Sequence, residues 1–492
     1  MSILTLTGTI GLIAIVFTLI LKFSTSSVKV LWLSILQNFC GILFVFSGWV
    51  KAIDPMGTAF KMEQYFAEFE ATFSATTFSF LAPIFPWLSS LSVGFSIFMI
   101  ILEIILGLML IMGYKKKLTA WLFFLIVFFF TFLTGFTFLT GYVPADVNFF
   151  SFGQWGPYVE TNMKVTDCGC FGDFIKLKPK VSFIKDIFLM VPAILFLFYY
   201  AKFHELFKPQ VRLAVTVVSI FVLFLYCLNN FYWNEPHIDF RPFREGVNIR
   251  EQKAAEEDAM ANVDVTLVMK NIADGRIVEM PQDQYMKEFK SYPKEEWEFL
   301  DPIKSEPSVA QTKISEFMVE DKEGNEIGEE ILSEEGYSFI FVAYKFKGSS
   351  TYETRTVSDT TFLQDTIIGP AGDTTITNVP EISTTEQDME VFEWDQKYLD
   401  RFRNSVNKLA AAALKDNHKV FGIVGSASKE AIDDIRAQAE IPFDFYKADD
   451  ILLKTIQRSN PGLLLLKDGL VVKKWHHRHM PDFETVKEKY LK

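Results

Sequence analysis

The sequence predicts a two-part chain: an α-helical transmembrane bundle of about six spans, then an extracytoplasmic α/β domain. Half of the 492 residues are hydrophobic and only 22% are charged, and the mean hydropathy is positive. The charge is divided unevenly along the chain. Residues 1–230 carry 15 Lys/Arg against 11 Asp/Glu, a net of +4, and residues 231–492 carry 33 against 49, a net of −16. Uncharged runs of about 20 residues, enough to cross a hydrocarbon core, recur through the first half and stop there. This composition excludes a disordered or collagen-like chain and argues against an ordinary soluble enzyme. The acidic half repels phosphate backbones, which disfavours nucleic-acid binding.

The six predicted spans are Ile3–Leu21, Val30–Val50, Leu91–Met112, Leu118–Tyr142, Val181–Ala201 and Leu213–Trp233. The first lacks the basic start and small-residue cleavage site of a signal peptide and is therefore read as a span. Lys22 and Lys29, then Lys115–Lys117, then Lys202, Lys208 and Arg212 fall in alternate connections. Positive charge holds such connections in the cytoplasm. The long connections and everything after about residue 234 then face outwards, which in a bacterium means an inner-membrane protein with a periplasmic C-terminal domain. The Phe-rich 51–90 connection suits either a re-entrant or interfacial segment or a loop packed on the bundle.

Beyond the spans, residues 236–262 read as a charged stalk with one helical turn. VDVTLVMKN and GRIVEM flank Ala273-Asp274-Gly275 as a hairpin, and EWEFL at 296–300 adds a third strand. Tyr337–Phe346 and Lys419–Val424 are buried-strand runs, and Lys467-Asp468-Gly469 turns a last hairpin. Helical patterns cover Trp394–Lys415, Lys429–Ala439, Ala448–Arg458 and Phe483–Leu491. Residues 347–390, rich in Thr, Ser and Asp, read as a solvated insertion. Strand, helix, strand, helix, hairpin and terminal helix, over 314–492, resembles the order of a thioredoxin-like domain.

Cysteine carries the sharpest chemistry. Cys168-Gly169-Cys170 lies in the 143–180 connection. Two thiols separated by one glycine can close a small, strained and therefore reducible ring. The pair admits three readings: a reversible redox couple, cysteines that shape the loop, or metal ligands. Zinc would need further ligands, and no His lies nearby in sequence, so no metal is expected. Cys227 falls 14 residues into the sixth span, ~21 Å along it, and could approach this loop, whereas Cys40 is too deep. A lone membrane Cys is otherwise a small packing residue.

Glu103 is the one acid in the middle of a span, where a carboxylate is costly. Its depth allows a polar contact with Gln37 or Asn38, serving either proton handling beside a quinone-like acceptor or helix adhesion. Lys51 and Asp54 are expected to pair at the interface. The run Trp475–His479 is read as surface, because adjacent residues on a strand end point in different directions.

FSGWVKAIDPMGTAFKMEQYF (46–66), EIILGLMLIMGYKKKLTAW (103–121) and DCGCFGD (167–173) resemble the DoxX-like family, more narrowly its branch with the methylamine-utilisation protein MauE. The resemblance covers about 30–205. The acidic half is similar to the thioredoxin-like extension of the Bacteroidota members of this group. The resemblance implies a four-helix membrane core made of the second to fifth spans. It also implies thiol–disulfide chemistry with a respiratory acceptor, Cys168 and Cys170 being the redox pair. The first span (1–29) and the last (206–235) lie outside that core. The stalk and small β-rich segment take up 236–313. The thioredoxin-like half departs from its pattern: after Tyr337–Phe346 stands Lys347-Gly348-Ser349-Ser350 rather than CxxC, and no Cys follows Cys227. Ser459-Asn460-Pro461 stands where such domains keep the proline facing their active site.

Two functions fit. One is an inner-membrane thiol–disulfide redox protein that acts on periplasmic client cysteines through Cys168 and Cys170, with a membrane quinone as second partner and weaker roles for Cys227 and Glu103. The other is a non-enzymatic envelope-complex subunit whose redox-inactive domain docks partner proteins.

Overall fold

The structure, a computed structural model, describes residues 2–165, 169–368 and 374–491, with segments 355–368 and 374–383 and residue 301 described by backbone alone. The chain divides into two compact units, residues 1–244 and 245–492.

In the first unit, among the described residues, six helices are long and apolar enough to cross a membrane: Ile3–Ser24, Leu31–Ile53, Ser92–Met112, Lys116–Thr140, Pro179–Lys202 and Pro209–Trp233. They indicate a multi-pass membrane protein. Their burial is graded. The apolar stretches of the second and third spans are 61% and 67% buried, against 22% and 17% for the first and sixth. The first span buries only Leu6, Ile10, Ala14 and Thr18, and the sixth Arg212, Thr216 and Cys227, with Asn230 in its last turn. Between the second and third spans the backbones nearly touch. A Cβ on Gly41 would stand 2.9 Å from the Gly107 carbonyl oxygen, and one on Gly107 2.6 Å from that of Gly41. Small residues allow this approach where no hydrophobic drive separates helix from lipid.

The 51–90 connection, expected as a re-entrant or interfacial segment or as a loop packed on the bundle, is largely helical. Asp54 accepts the Gly57 N–H at 3.1 Å and Pro55 occupies the first turn, which starts a helix over Pro55–Ser74. Met56, Ala59, Phe60 and Tyr65 make its buried face. A short helix, Ile84–Ser90, then leads to the third span.

The second unit holds ten strands among its described residues. Strands β1 (Val265–Asn271), β2 (Ile277–Pro281) and β3 (Trp297–Lys304) form an antiparallel sheet in the order β2-β1-β3. The larger sheet contains β4 (Tyr337–Ala343), β7 (Lys419–Val424), β8 (Phe445–Lys447), β9 (Gly462–Lys467) and β10 (Leu470–His476) in the order β10-β9-β4-β7-β8. β4, β7 and β8 run parallel, β9 is antiparallel to β4, and β10 is antiparallel to β9. Six consecutive residues of β4 are buried, as an apolar run covered on both faces requires. Phe339 and Phe341 pack with Phe402, Leu409, Ile435 and Phe445 into the main core.

One expectation for this unit is corrected, and a second gains its secondary structure. The stalk is a 13-residue helix, Ile249–Ala261, built into the unit. Asn248 caps it, the Ile249 N–H bonds to the Gly469 carbonyl at 2.8 Å, and buried Glu256 accepts the Thr312 hydroxyl at 2.7 Å. The solvated insertion is an antiparallel ribbon of two 21-residue strands, β5 (Gly348–Ile368) and β6 (Thr374–Trp394), paired from Gly348↔Trp394 to Ile368↔Thr374. Thr and Ser, which the sequence shows in abundance there, suit strands as well as loops.

Filling the glycine contact of the second and third spans tests the packing. Gly107→Leu should destabilise the bundle by at least the ~1–3 kcal/mol of an overpacked core. A thermal unfolding midpoint in detergent equal to that of the parent chain would contradict the close approach.

Candidate functional site

A cavity of about 80 Å³ lies inside the first unit. The second, third, fourth and fifth spans line it, together with the Pro55–Ser74 helix and the turn at 169–171. Its walls are apolar through Leu43, Phe44, Met99, Ile100, Val127, Phe130, Leu133 and Leu189, yet two ion pairs stand in it.

Glu103 and Lys51, 3% and 6% exposed, form the first pair, with Lys51 Nζ 2.7 Å from Glu103 Oε2. The Lys51 ammonium also sits 5.1 Å from the centre of the Phe130 ring. This corrects two expectations. Gln37 donates to the Leu110 carbonyl at 2.6 Å and accepts from the His204 N–H, and Asn38 donates to the Thr18 hydroxyl at 2.8 Å. The reason is register. With Gly41 opposite Gly107 and Gly48 opposite Ile104, Glu103 lies near the Lys51 end of the second span and Gln37 near Leu110. Lys51 therefore turns inward, while Asp54 caps the next helix.

The second pair comes from neighbours in the fifth span. Lys185 Nζ lies 2.5 Å from Asp186 Oδ1, and Thr134 donates to Asp186 Oδ2 at 2.9 Å. Thr137 donates to the Tyr65 hydroxyl at 3.1 Å. The Thr58 hydroxyl, also at the cavity, is buried with no hydrogen-bond partner among the described residues.

Cys170 joins this lining from the long connection. Gly169 and Gly172 adopt φ of 60° and 51°, left-handed values that side chains rarely take, and the Gly172 N–H closes the turn on the Gly169 carbonyl at 3.1 Å. Phe171, 1% exposed, anchors the turn in the core, and Ser47 donates to the Cys170 carbonyl at 2.8 Å. Burial pushes the Cys170 thiol up. Lys185 and Lys51 pull it down, and Asp186 and Glu103 push it further up. The net direction is upward, so the protonated thiol is favoured at neutral pH.

Cys168 lies outside the described residues. Cys40 and Cys227 are fully buried and line no part of the cavity. Cys227 packs among Ala52, Ile97, Ile100 and Ile104 as a small apolar residue. Among the described residues no group of three His, Cys, Asp or Glu is placed to hold a metal ion.

In the second unit, the run after β4 enters the ribbon directly, Gly348, Ser349 and Ser350 being the first residues of β5. The Trp475–His479 expectation is corrected. His476 is buried, its ring lies 4.2 Å from that of His477 at 33°, and His477 Nδ1 is 2.9 Å from the Ser459 hydroxyl. A turn of 3₁₀ helix begins at His477, which removes the strand alternation on which the expectation rested.

No family model, curated protein or solved structure matches the chain.

The first ion pair should behave as a unit. Lys51→Met or Glu103→Leu alone leaves one buried charge and should cost roughly 3–5 kcal/mol, and the double Lys51→Met/Glu103→Leu change should recover most of it. Denaturant unfolding in detergent reads both, and additive losses would contradict the pairing. Cys170 offers a pH test in a Cys168→Ser chain. The thiolate is the reactive form, so alkylation should rise with pH through a midpoint above that of a free thiol. Lys185→Met should move that midpoint higher and Asp186→Asn lower. A midpoint at or below the free-thiol value contradicts the environment described.

Proposed function

We propose that this chain is a bacterial inner-membrane thiol–disulfide redox protein that acts on periplasmic client cysteines through Cys168 and Cys170. The observation that carries the reading is the position of Cys170, half-buried in the lining of a largely apolar cavity inside a membrane bundle and beside two ion pairs. A structural cysteine has no need of such surroundings.

Orientation rests on the basic residues between alternate spans. Two of those connections meet, Arg212 donating to the Gly113 carbonyl at 2.9 Å and Lys116 pairing with Glu205 at 2.6 Å. In this orientation the Cys168–Cys170 loop and the C-terminal unit face the periplasm.

The chemistry balances. A client dithiol forms its disulfide while the Cys168–Cys170 disulfide takes up the two electrons and two protons and becomes two thiols. A membrane quinone would supply the two-electron oxidation that restores the ring. The cavity fits such a group: its walls are apolar, and the Lys51 ammonium and the unpartnered Thr58 hydroxyl are donors for a ring carbonyl.

We read the C-terminal unit as thioredoxin-like and redox-inactive. Support comes from the order β10-β9-β4-β7, the antiparallel β9–β10 hairpin, the terminal helix Phe483–Tyr490 and the Ser459-Asn460-Pro461 turn before β9. The unit contains no cysteine, so its part is to bind a client or hold one over the membrane site. That same absence favours a second reading, a docking subunit of an envelope complex in which Cys168 and Cys170 only shape their loop.

Trapping separates the two. Replacing Cys168 or Cys170 singly by Ser leaves one thiol, whose thiolate attacks a client disulfide and releases one client thiolate. With no second thiol in the loop to resolve it, the client should stay joined through a reductant-sensitive bond, while the double variant should trap none. Cys40→Ala and Cys227→Ala should trap as the parent does. If neither single variant traps a client and envelope disulfide content is unchanged, the docking reading replaces the redox one.

A further inference from the structure

The turn between the third and fourth spans gathers positive charge where the fourth span begins. Gly113 and Lys115 take left-handed φ of 63° and 44° in it, and the Tyr114 N–H closes on the Met109 carbonyl at 2.9 Å. Three consecutive lysines, Lys115, Lys116 and Lys117, line one open groove of about 600 Å³, with Leu118 and Trp121 as its apolar wall. Lys115, Lys117, Leu118 and Trp121 are all exposed.

The three lysines are not equivalent. Lys116 is half-buried, pairs with Glu205 at 2.6 Å and donates to the Phe203 carbonyl at 3.3 Å. Glu205 also takes Arg212 at 2.7 Å, so its single charge is already shared between two cations. The Lys115 and Lys117 ammonium groups make no hydrogen bond or ion pair among the described residues. Lys115 lies only against the Tyr114 ring, 6.0 Å from its centre.

Below these charges the groove runs into a stripe of exposed apolar side chains. Leu118, Trp121, Leu125, Phe128 and Phe132 recur at steps of three and four and therefore share one face of the Lys116–Thr140 helix. From Leu118 to Phe128 that face descends ~15 Å, half the thickness of a hydrocarbon core. Trp121, one turn below the lysines, has the interfacial place that its ring favours.

We propose that this groove binds an anionic phospholipid, its phosphate on Lys115 and Lys117 and an acyl chain along Leu118, Leu125 and Phe128. Charge above an apolar face of one leaflet's depth repeats the order of groups in such a molecule, and the positive end of the helix dipole adds to the attraction. Phosphatidylglycerol carries a phosphate charge that nothing balances, whereas phosphatidylcholine brings its own cation to the lysines. Two lysines at this depth favour the anionic lipid by about tenfold or more. The site rests on the fourth span lying in a membrane and on neither reading of the cysteines.

Quenching of Trp121 in vesicles tests it. The full chain is reconstituted in phosphatidylcholine with a minor fraction of phosphatidylglycerol brominated near the top of its acyl chains, or with the same fraction of equally brominated phosphatidylcholine. The Trp121 contribution is the difference between the parent and the Trp121→Phe chain. Brominated phosphatidylglycerol should quench it at least about threefold more strongly than brominated phosphatidylcholine. The double change Lys115→Gln/Lys117→Gln, on two exposed side chains, should bring that ratio to about one. It should leave quenching by brominated phosphatidylcholine as in the parent, which reports that the span is still in place. Lys22→Gln/Lys29→Gln removes the same charge from another connection and should keep the ratio. Inorganic phosphate at constant ionic strength should also keep it. Equal quenching by the two brominated lipids, a ratio that survives in the Lys115/Lys117 variant, or its loss in the Lys22/Lys29 variant overturns the proposal. So does its loss on adding phosphate, which would mark a site for the free anion. The Cys168→Ser/Cys170→Ser chain should give the parent ratio, so this outcome and the redox outcome are read separately.

Discussion

The Lys51–Glu103 ion pair is the constraint around which the first unit is organised. Neither charge is tolerable alone in the low dielectric of a bundle, so the second and third spans must keep the register that joins them. Gly41 and Gly107 provide the close approach that this register needs. Three residues beyond Lys51, Asp54 turns the chain into the helix that brings Thr58 and Tyr65 to the cavity. The pair therefore positions polar groups on a neighbouring helix as well as its own.

Cys170 sits among charges of both signs. Two ammonium groups and two carboxylates act on its thiol, and burial decides the direction. Such a balance responds to small changes. Separating Lys185 from Asp186, or bringing a charge into the cavity, would move the thiol further than the same change on an exposed cysteine, because charges act more strongly in a buried site than through water. Reactivity there is governed by what fills the cavity as much as by the thiol itself. The second unit contains no thiol at all.

The legibility of the sequence followed the strength of the period behind each element. Apolar runs such as Leu91–Met112 could be little else than spans, and strands such as Lys419–Val424 and the turn at Asp468-Gly469 were announced by composition and turn chemistry. The ribbon was hidden because residues such as Thr351, Thr354 and Ser350 favour neither loop nor strand until a partner is known. The helix at Ile249–Ala261 was hidden by its charge, since its buried side is small, Ile249, Glu256 and Ala259. Depth along a helix was legible for Glu103, but its partner was not. Register between two helices depends on where glycines let backbones meet, and no count of residues from a helix end contains that.

The ribbon of β5 and β6 has a consequence for range. At about 3.3 Å per residue, 21 residues give a contour of ~70 Å, more than twice the hydrocarbon thickness of a bilayer. Electrostatic influence in cell-like salt fades within about 8 Å, so the paired residues Ile368 and Thr374 lie many screening lengths along the strands from the root at Gly348 and Trp394. What meets the ribbon at Ile368 and Thr374 cannot feel the acidity of the body from which the strands spring. Attraction or repulsion there is settled locally, by the ribbon's own residues. A chain whose bulk would repel an anionic surface thus carries an arm whose encounters are electrically independent of that bulk.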